Sequence, residues 1–321
     1  MRSGLVALVV AAPFVVGVAV TPTAPHGRHV LTFHDPAIVE ASALVVARGL
    51  FLTTNDSGDT GRVFAVDRAG DTVGVTHWSS DPTDCEALAP AGPGHVWVGD
   101  IGDNLASRSS VTITRVPVGR GERTVTPTSY RLTYPDGPTD AETLLRNPVT
   151  GRLYVASKDV FGGTLYAVPR HLSADGTNRL RRIGRVLPVA TDGSFFPDGQ
   201  HLVIRDYSTA VVYEWPSLQR VGSFDLPSQQ QGEGIAVAPD GSIYLSSEGI
   251  RSPVLEVPLP AALRRAMARR TPSASPSGGS VPEASSESAT GPVTHDAWPW
   301  VAGGLLALGA LVVLVRAVRP R

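Results

Sequence analysis

From His29 to Pro260 the sequence runs through short apolar stretches, each cut off by Gly, Pro, Asn or Asp, a pattern that predicts many short strands and excludes a helical bundle. One unit recurs along it: an acidic residue beside a small or apolar one, a short apolar strand, a Gly-containing turn, a β-rich strand, and a polar or charged tip. Its five instances are EASALVVARGLFLTTND from Glu40, EALAPAGPGHVWVGD from Glu86, ETLLRNPVTGRLYVASKD from Glu142, DGSFFPDGQHLVIRD from Asp192 and EGIAVAPDGSIYLSSE from Glu233. Their starts fall 46, 56, 50 and 41 residues apart. Propeller blades repeat at ~40 to 50 residues, whereas leucine-rich and ankyrin units are shorter. Third strands follow as RVFAVD, VTITRVP, TLYAVP, AVVYEWP and VLEVPLP, and fourth strands as TVGVTHW, YRLTYP, RRIGRVLP and RVGSFDLP.

The fifth unit lacks a fourth strand, while HVLTF (His29 to Phe33) stands alone ahead of the first. Ring closure by the N-terminal strand accounts for both and removes exposed sheet edges. The expected fold is therefore an all-β propeller of five blades, with six as the alternative if the longer interval from Glu86 to Glu142 hides another. Two packed sandwiches would explain the strands but not the recurrent acid.

The chain ends read differently. Met1-Arg2 and the 16-residue run from Leu5 to Val20 predict a signal peptide over residues 1–24. An uncleaved anchor is the alternative, but this run contains Pro13 and falls short of the ~20 residues that span comfortably. The propeller is expected over 25–263. Residues 264–297 hold the end of a short basic helix (Pro260 to Arg270) and a Ser/Pro-rich stalk too poor in large apolar residues to form a core. Trp298-Pro299-Trp300, the apolar run to Val315 and the following Arg316, Arg319 and Arg321 predict a transmembrane helix over 298–318 and a cytoplasmic tail at 319–321. The expected location is the cell membrane, single-pass, with the main domain extracellular and the C-terminus cytoplasmic. Gly303 and Ala307 offer only a weak small-residue pairing motif.

Charge sharpens this division. The whole chain balances 28 basic against 29 acidic residues, yet residues 25–263 carry a formal charge of −6. A nucleic-acid role gets no support from this charge. The single cysteine, Cys85, excludes an intramolecular disulfide framework.

In a propeller the first strand of each blade lines the axis, so a residue repeated at its start forms a ring. That ring is Glu40, Glu86, Glu142, Asp192 and Glu233, with a second at the strand-two tips: Asp56, Asp100, Lys158, Arg205 and Ser247 or Glu248. Converging carboxylates repel unless compensated. Lys158 and Arg205 are one remedy, and a hard cation such as Ca2+ on oxygen ligands is another. The loops NDSGD and DIGDN share D-x-G-D, making Asp56, Asp59, Asp100 and Asp103 candidate calcium ligands, with ordinary Asx turns as the competing explanation. No nucleophile elbow, H-E-x-x-H or Walker A motif is present. Flanked by Asp84 and Glu86, Cys85 reads as a small buried residue rather than a nucleophile.

EGIAVAPDGSIYLSSEG (Glu233 to Gly249) resembles the strand pairs of secreted bacterial propellers of the phytase-like, esterase-like and NHL/WD40-like groups, with fainter echoes across residues 29–260. NDSGD, the DCEALAP to VGDIGDN stretch and YPDGPTDAETLL are similar to a group of actinobacterial surface propellers. The resemblance implies scaffold and secretion, not one chemistry. The function expected is that of a membrane-tethered extracellular module binding a ligand or an envelope protein. The alternative is a calcium-dependent hydrolase of phosphate esters or lactones with an acidic axial-channel site.

Overall fold

The computed structural model describes residues 27–79 and 81–270. The expected signal peptide, the stalk from residue 271 onward, the membrane helix and the tail lie outside the described residues. No helix among the described residues is long and apolar enough to cross a membrane.

β1 (Arg28–Thr32) opens the described chain without joining the strands that follow it. β2 (Val45–Ala47), β3 (Leu50–Thr53), β4 (Arg62–Val66) and β5 (Thr72–Trp78) form the first blade. The second blade is β6 (Cys85–Pro90), β7 (His95–Asp100), β8 (Val111–Pro117) and β10 (Ser129–Thr133). The third is β11 (Ala141–Arg146), β12 (Leu153–Ser157), β13 (Thr164–Ala167) and β15 (Arg181–Arg185). The fourth is β16 (Asp192–Phe195), β17 (His201–Arg205), β18 (Thr209–Glu214) and β19 (Arg220–Asp225). The fifth contains β20 (Ile235–Val237), β21 (Ile243–Leu245) and β22 (Pro253–Val257), and β1 completes it antiparallel to β22, with Arg28 opposite Glu256 and Thr32 opposite Pro253. The inner strands β2, β6, β11, β16 and β20 stand side by side, and β2 meets β20 to close the ring.

The molecule has five blades, and the long second interval has another use. Its surplus forms β9 (Arg123–Val125), which runs parallel to β5 on the outer edge of the first blade. Gly74 permits this strap: a Cβ there would stand 2.0 Å from the Gly119 carbonyl oxygen. A second strap, β14 (Thr177–Arg179), comes from the third blade and runs parallel to β10 of the second.

Near-continuous apolar strands are explained by burial on both faces. Five apolar clusters fill the five blade interfaces, and alternate residues of one strand serve different clusters. Val63 and Ala65 face the second blade while Phe64 and Val66 face the fifth. Leu153 and Val155 likewise pack toward the second blade, Tyr154 and Ala156 toward the fourth. The expected basic helix is α1 (Ala261–Arg270). It is anchored rather than free, because Leu263 is buried in the cluster between the fourth and fifth blades.

Candidate functional site: an acidic axial mouth

Each inner strand begins at the same end of the axis, and antiparallel pairing returns the end of each second strand to that mouth. Asp192 thus lies opposite Arg205, and Cys85 opposite Asp100. The backbone N–H of Lys158 donates to the Asp140 carbonyl (3.0 Å) and that of Asp56 to the Glu40 carbonyl (3.0 Å). The two predicted rings therefore meet, but their members take different roles.

Glu86, Glu142, Asp192 and Glu233 are buried, whereas Glu40 is exposed. Asn55 causes this difference: its Oδ1 accepts the Val39 and Glu40 N–H groups (3.1 and 3.3 Å) and pins that segment at the rim. Asp192 works as an internal tie. Its carboxylate accepts N–H bonds from Gly193 (2.7 Å) and from Ile235 of the fifth blade (2.8 Å), and another from Leu44 of the first. Burial raises its pKa well above the ordinary range, against those donors and Arg205. Arg205 is itself fully buried, donating to the carbonyls of Asp206, Tyr207 and Gly234 and to Gln229 Oε1. Burial pulls its pKa down to about 10, with Glu233 and Asp192 opposing.

Lys158 pairs with Glu142 Oε1, and its Nζ sits 5.5 Å from the Tyr207 ring centroid. Burial works against its charge, but Glu142 reverses that and leaves the pKa raised. Burial pushes Glu142 up to about 8 and Glu233 up to about 7, in both cases against Lys158. Glu86 reaches about 10 through burial, reinforced by Glu142 and Asp56, although Ser42 Oγ donates to its Oε2 at 2.7 Å. Glu142 Oε2 is buried with no partner among the described residues.

The D-x-G-D carboxylates separate. Asp59 is clamped by Arg62 through two bonds of 2.7 and 2.8 Å and accepts Asn55 Nδ2 at 2.8 Å. Asp100 pairs with Arg108 (2.8 Å) and accepts the Asp84 N–H (2.9 Å), while Asp103 accepts the Ser107 and Arg108 N–H groups. Asp59 and Asp103 serve their own loops, while Asp100 ties its loop to the segment ahead of β6. Asp56 instead joins Asp84 and Glu86, an oxygen of each lying within 4.8 Å of the others, the one such trio among the described residues. Burial and the adjacent Asp56 push Asp84 up to about 6. An all-oxygen donor set of this kind fits a hard divalent cation.

Sequence reasoning did not single out Asp84 and Asp140 as members of the mouth. The available signal was the D-x-E spacing of Asp84 with Glu86 and of Asp140 with Glu142, since period two puts both carboxylates on one side of an extended chain. Cys85, between the first pair, is buried at 3.5 Å from Thr54 Oγ1, and burial raises its thiol far above the nucleophilic range.

The rim is apolar. Of the seven exposed large hydrophobic residues among the described residues, six belong to loops at this end: Val39, Leu105, Val160, Phe161, Tyr207 and Ile250. Leu105 and Phe161 are each 88% exposed. A groove of about 420 Å³ between the second and third blades is lined in part by Asp140 and Lys158.

No protein-family profile and no curated protein matches this sequence significantly. The solved structures it is similar to stand at low identity. The chain is similar to a structure described as glucose dehydrogenase (11% identity, TM-score 0.45, 74% of this chain and 100% of that one). It is also similar to the Dos1 propeller (14%, TM-score 0.36, 70% and 59%) and to Kuenenia stuttgartiensis hydrazine synthase (14%, TM-score 0.39, 72% and 58%). The chain thus spans less than two thirds of the last two.

Proposed function

We propose that this chain is a membrane-tethered, extracellular β-propeller that recognises a cationic ligand or partner at its acidic axial mouth. The observation that carries this reading is the pairing of the Asp56, Asp84 and Glu86 trio with an exposed apolar rim contributed by several blades. Exposed apolar surface around a polar centre marks interaction sites on soluble domains. The partner that fits presents a basic side chain to the carboxylates and apolar neighbours to Leu105, Phe161 and Ile250. Calcium is a simple inorganic cation suited to the same oxygens. No observation at the mouth favours a hydrolase over a binder. The tether rests on the apolar run ahead of Arg316, and the external address on the basic, apolar start of the sequence.

The test uses the full-length chain, an amphipathic Leu/Lys peptide, its Leu/Glu counterpart and CaCl2, each followed by calorimetry. The Leu/Lys peptide is expected to bind, to weaken tenfold or more in Asp84→Asn/Glu86→Gln and again in Leu105→Ser/Phe161→Ser, and to compete with calcium. Equal binding of the Leu/Glu peptide, or unchanged binding in the carboxylate variant, overturns the reading.

A further inference from the structure

At the opposite end of the axis the five inner strands finish around a cavity of about 270 Å³. Each contributes to the wall, among others Val46 of β2, Pro90 of β6, Leu144 of β11, Phe195 of β16 and Val237 of β20. No Asp or Glu lines it, and its single charged residue is Arg146.

Arg146 is half-buried at the end of β11, and its guanidinium makes no hydrogen bond or ion pair among the described residues. The charge that acts on it is another cation, Arg115, which itself donates to the Ala91 carbonyl (3.2 Å). Burial and Arg115 together lower the Arg146 pKa, the direction expected of a cation lacking a counter-ion. Other partly buried arginines here are satisfied: Arg62 by Asp59, and Arg108 by Asp100. An unpaired guanidinium beside an apolar cavity is a planar, five-donor fork matched to a carboxylate. Pockets for small molecules have this composition, an apolar wall with a few orienting polar groups.

We propose that this cavity is a second binding site, for a small organic anion whose carboxylate pairs with Arg146 and whose apolar body fills the space between Val46, Leu144, Phe195 and Val237. The site is separate from the acidic mouth in place and in charge, so its ligand is of the opposite kind.

The experiment titrates the full-length chain with 2-naphthoate and with uncharged 2-naphthalenemethanol, using calorimetry. Naphthoate is expected to bind at least tenfold more tightly than the alcohol. Arg146→Met, which removes no hydrogen bond of the fold, should abolish that preference and leave alcohol binding unchanged. Ala238→Phe, which fills the cavity, should abolish both, with circular dichroism confirming that each variant is folded. Naphthoate binding that is absent at millimolar concentration, or unchanged in Arg146→Met, overturns the proposal.

Discussion

Lys158 binds one oxygen of the Glu142 carboxylate and leaves the other, Oε2, buried without a partner among the described residues. The pair is therefore only half satisfied, and each member depends on the other for its charge. Removing one member of a buried pair strands the other, at a cost of about 3 kcal/mol or more, whereas replacing both by neutral groups of similar shape is nearly neutral. Lys158→Met should lower stability in urea denaturation by about 3 kcal/mol, and Glu142→Gln/Lys158→Met should recover most of it. Equal losses in the single and double variants would show that the pairing contributes little.

Glu233 sets a pH dependence whose sign follows from its environment. Its ordinary pKa of 4.5 rises to about 7 through burial, with Glu248 and Asp56 adding to the rise and Lys158 and Arg205 opposing it. The folded state then holds a proton that the unfolded state releases, so the stabilising contribution is complete below about 4.5 and is lost as pH rises through about 7. In metal-free buffer the wild-type chain should be more stable at pH 5 than at pH 8. Glu233→Gln should shrink that difference by about 2 kcal/mol, measured from urea midpoints at both values. A variant with the wild-type pH dependence would assign the titration elsewhere.

Closure by β1 predicts a large, local effect. Leu31 and Phe33 are 2% and 0% exposed, and both sit in the cluster joining the fifth and first blades. Phe33→Ala should cost about 3–5 kcal/mol by differential scanning calorimetry. Deleting residues 28–33 also exposes the edge of β22, so loss of cooperative melting and concentration-dependent aggregation are expected. A deletion variant that melts like the full chain would contradict closure by this strand.

The blades were legible because each opens on an acid and ends its second strand on a polar tip, a repeat set by local geometry. Closure was legible for the same reason: HVLTF had no partner and the last blade lacked one. Side-chain fate was not, because it depends on neighbours distant in sequence. Glu40 has the repeat position of Glu86, yet Asn55 turns its segment outward. Arg205 occupies a tip like Lys158, yet Gln229 and the Gly234 carbonyl enclose it. Arg146 had no signal at all, since only the assembled ring places it beside a cavity. The surplus residues of the second interval had the length for another blade, and the space left by Gly74 lets them serve as a strap instead.

Gly102 connects the D-x-G-D pattern to the acidic trio. A Cβ at this position would stand 2.4 Å from Asp84 Oδ2 and 2.8 Å from Glu86 Cγ. Both distances are too short for contact, so the glycine leaves the room into which the two carboxyl groups fold. The role of Gly102 is steric, whereas Gly58, the matching glycine of the first loop, has open space around it and a φ of +84° that favours glycine. Gly102→Ala must displace the Asp84 and Glu86 side chains, and overpacking of this kind costs about 1–3 kcal/mol. The expected outcome is a lower melting temperature together with weaker binding of calcium or the Leu/Lys peptide at the mouth. Naphthoate binding at the opposite end of the axis should be unchanged, since no group there touches Gly102. Loss of both ligands together would mean that the substitution disturbs the whole ring, and unchanged cation binding would mean that the trio is not the cation site.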